Sequence, residues 1–194
     1  QEHHLDDEGE ADGPAEIPIV HLPDWETLPY DSFSPHEDIT SERLKALSQL
    51  DDLHRGLLIL PVQTLAHRLP PREHLDGQRF VLKVGDHFDI HTERRRLEAS
   101  GYHAVETVRE HGEFAIRGAI LDVFPMGSDQ PLRVELFDTE IESLRAFDPD
   151  TQRTITKVDL VTLLPAREIP LTEAGIARFR QNWHETFEGN PREC

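Results

Sequence analysis

The sequence predicts an α+β domain carried together with part of an α/β module, and three stretches carry that expectation. From Gly112 to Thr151 β-like runs follow one another closely, Phe114 to Phe124 and then Leu132 to Phe137, with the turn formers Gly127, Ser128, Asp129 and Pro131 between them. Ahead of that stretch a helix-periodic segment precedes LLILPV at 57–62, an unbroken apolar run of the kind buried parallel strands show. Behind it, Ile176, Phe179, Trp183 and Phe187 recur at helical spacing and form one apolar stripe. The chain thus leaves one unit, builds a β-rich second one, and returns.

In order, the expected elements are these. Residues 1–16 are acidic and nearly free of apolar side chains, so disorder is expected there. Ile17 to Leu22 suits a short strand, and Trp25, Tyr30 and Phe33 are expected to anchor the loop after it by packing rather than by stacking on single-stranded nucleic acid. Asp38 or Thr40 is expected to cap a helix bearing Leu44, Leu47 and Leu50, and Gly56 turns the chain into the 57–62 strand. Residues 64–75 read as a short helix interrupted by Pro70 and Pro71, and Arg79 to Val84 alternates as a strand closed by Gly85. Asp89 caps a helix over Ile90 to Ser100, with Gly101 at the position where helices end in a left-handed residue. In Leu132 to Phe137 alternation puts Leu132, Val134 and Leu136 on one face and Arg133, Glu135 and Phe137 on the other. Thr154 to Leu164 is further β structure ended by Pro165, and Thr172 caps the final helix, whose Trp183 is expected in the core.

Composition narrows the function classes. The net charge of -18, from 38 acidic against 20 basic residues, repels phosphate and disfavours general nucleic-acid binding by this chain, although its plain reading is a solvated surface. No apolar run reaches the ~18 residues a membrane span needs, and the single cysteine, Cys194, fits a reducing cytoplasm. The absence of an initiator Met and the polar end read as a piece of a longer protein. No catalytic or metal site is expected. Asp138, Glu140 and Glu142 read as a solvated sheet face, Arg94, Arg95 and Arg96 as a solvated helix face beside Glu93 and Glu98, and the cap at Asp89 keeps His87 and His91 off one helical face.

RGAILDVFP at 117–125 and PLRVELFDTEIESLRAFDPDTQ at 131–152 resemble the second domain of the nucleotide-excision-repair protein UvrB and of the bacterial transcription-repair coupling factors. PDWETLPYDSFSPHEDITSERLKAL at 23–47 and GLLILPVQTLAHRLP at 56–70 are similar to the coupling factors rather than to UvrB, and the resemblance extends from about Ile19 to Trp183. It implies a UvrB domain 2-like α+β interaction domain inserted in part of a degenerate helicase-like α/β module. The implied limits are an acidic segment at 1–16, the module at 17–78, the interaction domain at 79–165, and a helix at 166–194 returning to the module. It also implies a cytoplasmic DNA-repair protein that recruits UvrA to RNA polymerase stalled at damage. The translocase motor of the intact protein, its ATP and Mg, and its double-stranded DNA would all lie outside this chain, which has no G-x-x-x-x-G-K-[ST] loop and no cofactor of its own. The alternative is the same region of a true UvrB contacting DNA and UvrA, but its aromatic β-hairpin does not fit between Tyr30 and Gly56.

The resemblance places partner-binding residues for UvrA at Arg117, Arg133 and Phe137. For Phe137 two physical readings stand side by side: a second layer covers its ring, or the Arg-plus-aromatic pair is an interface anchor. Arg117 lies among Ala115, Ala119 and Leu121, where Gly118 is expected to mark a bulge that re-aims the side chain.

Overall fold

Strand β1 (Ile19–His21) pairs in parallel with β2 (Leu57–Ile59), Ile19 opposite Leu57, and a parallel pair requires a long crossover, here supplied by helix α1 (Glu37–Leu50). The computed structural model describes residues 17–28 and 31–186, so the expectations for 1–16, Tyr30 and Phe187 lie outside the described residues. Helix α1 buries Leu44 and Leu47 as expected. Its cap is His36, whose Nδ1 accepts the Asp38 backbone N–H at 3.2 Å, because the helix starts ahead of Asp38 and Thr40. The apolar strand β2 is parallel but not buried: Leu57, Leu58 and Ile59 are all exposed, since among the described residues β1 is its only strand neighbour.

Two short helices follow, α2 (Val62–Ala66) and α3 (Arg72–Gln78), where one interrupted helix was expected. Pro61 and Pro71 occupy their N-cap positions, where a missing N–H costs nothing, so the prolines start helices rather than merely breaking one. Strand β3 (Phe80–Lys83) leads through Gly85 to helix α4 (Ile90–Ala99), capped as expected by Asp89, which accepts the Thr92 N–H at 2.8 Å. Those bonds with Thr92 hold the Asp89 carboxyl below its ordinary range. Gly101 ends the helix at φ 97°, in the left-handed region.

The chain then builds a six-stranded sheet in the order β4 (His103–Ala104), β5 (Glu113–Arg117), β6 (Ile120–Val123), β7 (Leu132–Phe137), β8 (Glu140–Phe147), β9 (Thr154–Val158). The apolar stretch Phe114 to Phe124 is not one run. It folds on itself, Arg117 pairing with Ile120 across a tight turn in which Gly118 takes φ 61°. Gly118 is therefore a turn residue and not a bulge, supplying the positive φ that hairpin turns demand. The next turn falls at Asp138 (φ 58°) and Thr139, so the acidic stretch 138–142 spans a hairpin instead of one strand face. A bulge does occur, but in β8, where Glu142 is the extra residue between Ser143 opposite Glu135 and Ile141 opposite Leu136. The expected 154–164 strand splits as well: β9 stays in the large sheet and β10 (Leu160–Leu163) pairs antiparallel with β3.

The inner face of the sheet carries Phe114, Leu121, Val123, Leu132, Val134, Leu136 and Leu144 into one core with Phe80, Leu82, Leu97 and Tyr102. A smaller cluster of Val108, Ala115, Phe124 and Phe147 stands apart from it. The last helix, α5 (Glu173–Thr186), starts where Thr172 Oγ1 accepts the Gly175 N–H at 3.1 Å. Its apolar stripe is not core: Phe179 is exposed and meets a half-buried Trp183 edge-on at 5.3 Å, beside a groove lined by Pro70, Pro71, Ile169 and Leu171. The tie from α1 to the segment after β10 is polar instead. Arg43, fully buried, meets Glu168 at 2.5 and 3.1 Å and donates to the Pro23 carbonyl, while Trp25 lies under its guanidinium at 4.6 Å and donates its indole N–H to Glu168 at 3.1 Å.

Candidate partner-binding face

Strand register decides which side chains share the outer face of the sheet. Ala115, Asp122, Arg133, Arg145 and Lys157 are successive cross-strand partners from β5 to β9, and Arg117, Ile120, Glu135 and Ser143 form the adjacent row. Phe137 stands beyond them, opposite Glu140. Alternation holds along β7 because the bulge lies on its neighbour, so Leu132, Val134 and Leu136 are buried while Arg133, Glu135 and Phe137 point the other way.

Phe137 is 74% exposed, so among the described residues no second layer covers the ring. It sits at the end of β7, where the Leu136 N–H donates to the Ala119 carbonyl at 2.9 Å and so brings the Gly118 turn alongside. Arg117, on that turn, has a side chain 49% exposed.

Arg133 is different, with only 18% of its side chain exposed. Its Nε and Nη2 donate to both oxygens of Asp122 at 2.7 and 2.9 Å, its Nη1 donates to the Gln152 carbonyl at 3.5 Å, and its guanidinium lies 4.9 Å from the Phe147 ring centre. The bond to Asp122 holds the Arg133 guanidinium above its ordinary range despite burial. Asp122 itself is 1% exposed and also accepts from Arg117. Arg145 stands directly across from Arg133, a like-charge pairing that is relieved because Arg145 turns to Glu135 at 3.4 Å and to Ser143 at 3.3 Å. These two rows therefore hold four cations, Arg117, Arg133, Arg145 and Lys157, against the carboxylates Asp122 and Glu135, in a chain of net charge -18.

The three residues singled out from sequence thus share one sheet face, two as exposed groups and one as a half-hidden brace. Asp122 was missed. Its signal was present, a charged residue inside the apolar run Ile120 to Phe124.

The remaining candidates fall elsewhere. Arg94 pairs with Glu98 at 3.0 Å, Arg96 pairs with Glu93 at 3.6 Å and lies 4.0 Å from the Phe80 ring centre, and Arg95 donates to the Thr92 hydroxyl at 3.3 Å, so two of the three arginines of that run have counter-charges on their own helix. His87 forms a backbone bridge with Glu140, and among the described residues no group of three or more His, Cys, Asp or Glu gathers as a metal site. Trp25 anchors its loop, stacked on His67 at 4.8 Å, but Phe33 is exposed and anchors nothing. No helix among the described residues is long and apolar enough to cross a membrane.

A family model described as the UvrB interaction domain matches residues 80–169, the span that contains the whole face. The chain is 52% identical over 170 residues to the transcription-repair-coupling factor of Escherichia coli (strain K12), covering 88% of this chain and 15% of that protein. It is 52% identical over 166 residues to the factor of the same name from Haemophilus influenzae (strain ATCC 51907 / DSM 11121 / KW20 / Rd), covering 86% and 14%. With that of Myxococcus xanthus it is 40% identical over 156 residues, covering 80% and 13%. The chain spans about 15% of the length of the first of these curated relatives.

Proposed function

The chain belongs to the transcription-repair-coupling factors, in the part that carries the UvrB interaction domain, and on that premise we propose that it is a docking module for UvrA. The observation that supports this most is the bare Phe137 ring at the edge of a sheet face that also carries Arg117 and Arg133. An exposed aromatic beside arginine is the composition of interface anchors. In this reading Arg117, Arg133 and Phe137 form the UvrA-binding set, and the module serves to bring UvrA to RNA polymerase stalled at DNA damage.

Residues 17–78 and 166–194 are, in the same reading, part of a degenerate helicase-like α/β module from which the 79–165 domain projects. The chain itself performs no catalysis and needs no ATP or Mg; translocation on double-stranded DNA belongs to other parts of the intact protein. Titrating purified UvrA with this chain tests the proposal. Saturable binding that survives physiological salt is expected, and no binding at tens of micromolar, on the order of a Kd giving -6 kcal/mol or weaker, contradicts it.

A further inference from the structure

Among the described residues two carboxylates are buried, Glu168, which Arg43 holds, and Asp122, which arginines of the docking face hold. Burying a carboxylate is costly unless cations surround it, and the pair of guanidiniums on Asp122 offsets that cost. The two arginines use it differently. Arg133 has all three of its nitrogens engaged within the domain, two on Asp122 and one on the Gln152 carbonyl, with its plane against Phe147. Arg117 gives Asp122 a single nitrogen, Nη2, and half of its side chain is open to solvent. A guanidinium fork has donors on several nitrogens, so one can be held from behind while others face outward.

We propose that Asp122 is the positioning residue of this face: it fixes Arg133 as an internal brace and aims Arg117 at a carboxylate of the partner, beside an apolar socket that takes Phe137. The inference rests on the docking reading above and specifies its chemistry. Charge complementarity points to the same acidic counter-surface, because the two rows through Arg133 and Arg117 hold four cations against the carboxylates Asp122 and Glu135, with Glu140 opposite Phe137 in the next row, while the chain as a whole is strongly acidic. Phe137 lies one sheet row beyond Glu135, whose cross-strand neighbour Ile120 in turn pairs with Arg117, so the aromatic and the aimed cation share one corner.

Purified UvrA is the probe, titrated with the parent chain and with Arg117→Lys, Arg117→Ala, Asp122→Asn, the Arg117→Ala/Asp122→Asn double variant and Phe137→Ala, each checked by melting. Lysine keeps the charge but offers one nitrogen, which cannot pair with Asp122 and present a fork to a partner carboxylate together. Arg117→Lys is therefore expected to weaken binding about tenfold or more, close to Arg117→Ala. Asp122→Asn is expected to weaken binding similarly, and to cost less in the Arg117→Ala background than in the parent, where only its hold on Arg133 is left to lose, since a residue acting through another shows that coupling in a double-mutant cycle. Arg117→Lys binding as the parent does, or losses that simply multiply in the double variant, overturns the proposal. Should Asp122→Asn fail to fold, the solvent-facing Arg117→Lys decides alone. Phe137→Ala separates the two levels: full binding by that variant overturns the docking reading itself, whereas weakened binding there with parent-like Arg117→Lys and Asp122→Asn overturns only the positioning role.

Discussion

Replacing Arg43 by alanine removes the cation from a site where nothing else can reach. Arg43 is fully buried and Glu168 nearly so, and the pair is closed by bonds of 2.5 and 3.1 Å with Trp25 stacked against the guanidinium. The truncation leaves the Glu168 carboxylate with the Trp25 indole N–H as its one remaining partner here. Breaking a buried pair from one side costs about 3–5 kcal/mol, most of it the desolvated charge left behind. For a chain of this size that is a fall of roughly 6–20 °C in melting temperature. Circular dichroism melting and urea titration measure it, and Trp25 fluorescence reports the same site in a Trp183→Phe background. The double variant Arg43→Met/Glu168→Leu separates the lost attraction from the stranded charge: removing both ions for apolar groups is expected to recover most of the stability, as buried pairs elsewhere do. A single Arg43→Ala variant that melts within a degree or two of the parent would refute the assignment of this pair as the tie between α1 and the segment after β10.

Arg133→Ala is expected to lower both stability and binding, because Asp122 keeps only Arg117; the stability loss falls toward the low end of ~3–5 kcal/mol, while Arg117→Ala, half exposed, melts close to the parent. Melting of the two variants side by side checks this ordering. Asp148, at the turn into β9, accepts from the Thr151 N–H at 2.7 Å, the Thr151 hydroxyl at 2.8 Å and the Asp150 N–H at 3.1 Å, and the Thr151 bonds hold its carboxyl below the ordinary range. A depressed folded pKa means its stabilisation is complete above the unfolded value of ~3.9 and is lost as the pH falls through the lower folded value, so melting drops on acidification and Asp148→Asn shows a shallower drop.

What the sequence made legible were the elements whose signals are local. Asp89 and Gly101 bracket α4 because a cap and a left-handed terminus are each written in one residue, and β7 showed its two faces because alternation survives a bulge carried by the strand beside it. The hairpin at Gly118 was hidden because Ile116 and Ile120 flank the two-residue turn with apolar side chains and Ala119 within it is no turn former. Leu57 to Ile59 have the composition of a buried strand, but burial depends on neighbours that composition does not reveal. Long-range polar partners were invisible for the same reason. Arg43 stands in a helix of mixed charges and meets Glu168 across 125 positions of sequence, and Asp122 gains its meaning only when β5, β6 and β7 come into register. The face was therefore found through its exposed residues, and its buried support only through the fold.

The most direct test of the docking face is the affinity of Phe137→Ala for UvrA measured beside its melting curve. A ring 74% exposed contributes little to the core, so the variant is expected to melt as the parent does. An interface anchor removed costs about 2 kcal/mol or more, so UvrA binding is expected to weaken about 30-fold or more. Parent-like melting with undiminished UvrA binding, or unfolding of the domain by this single change, would contradict the account.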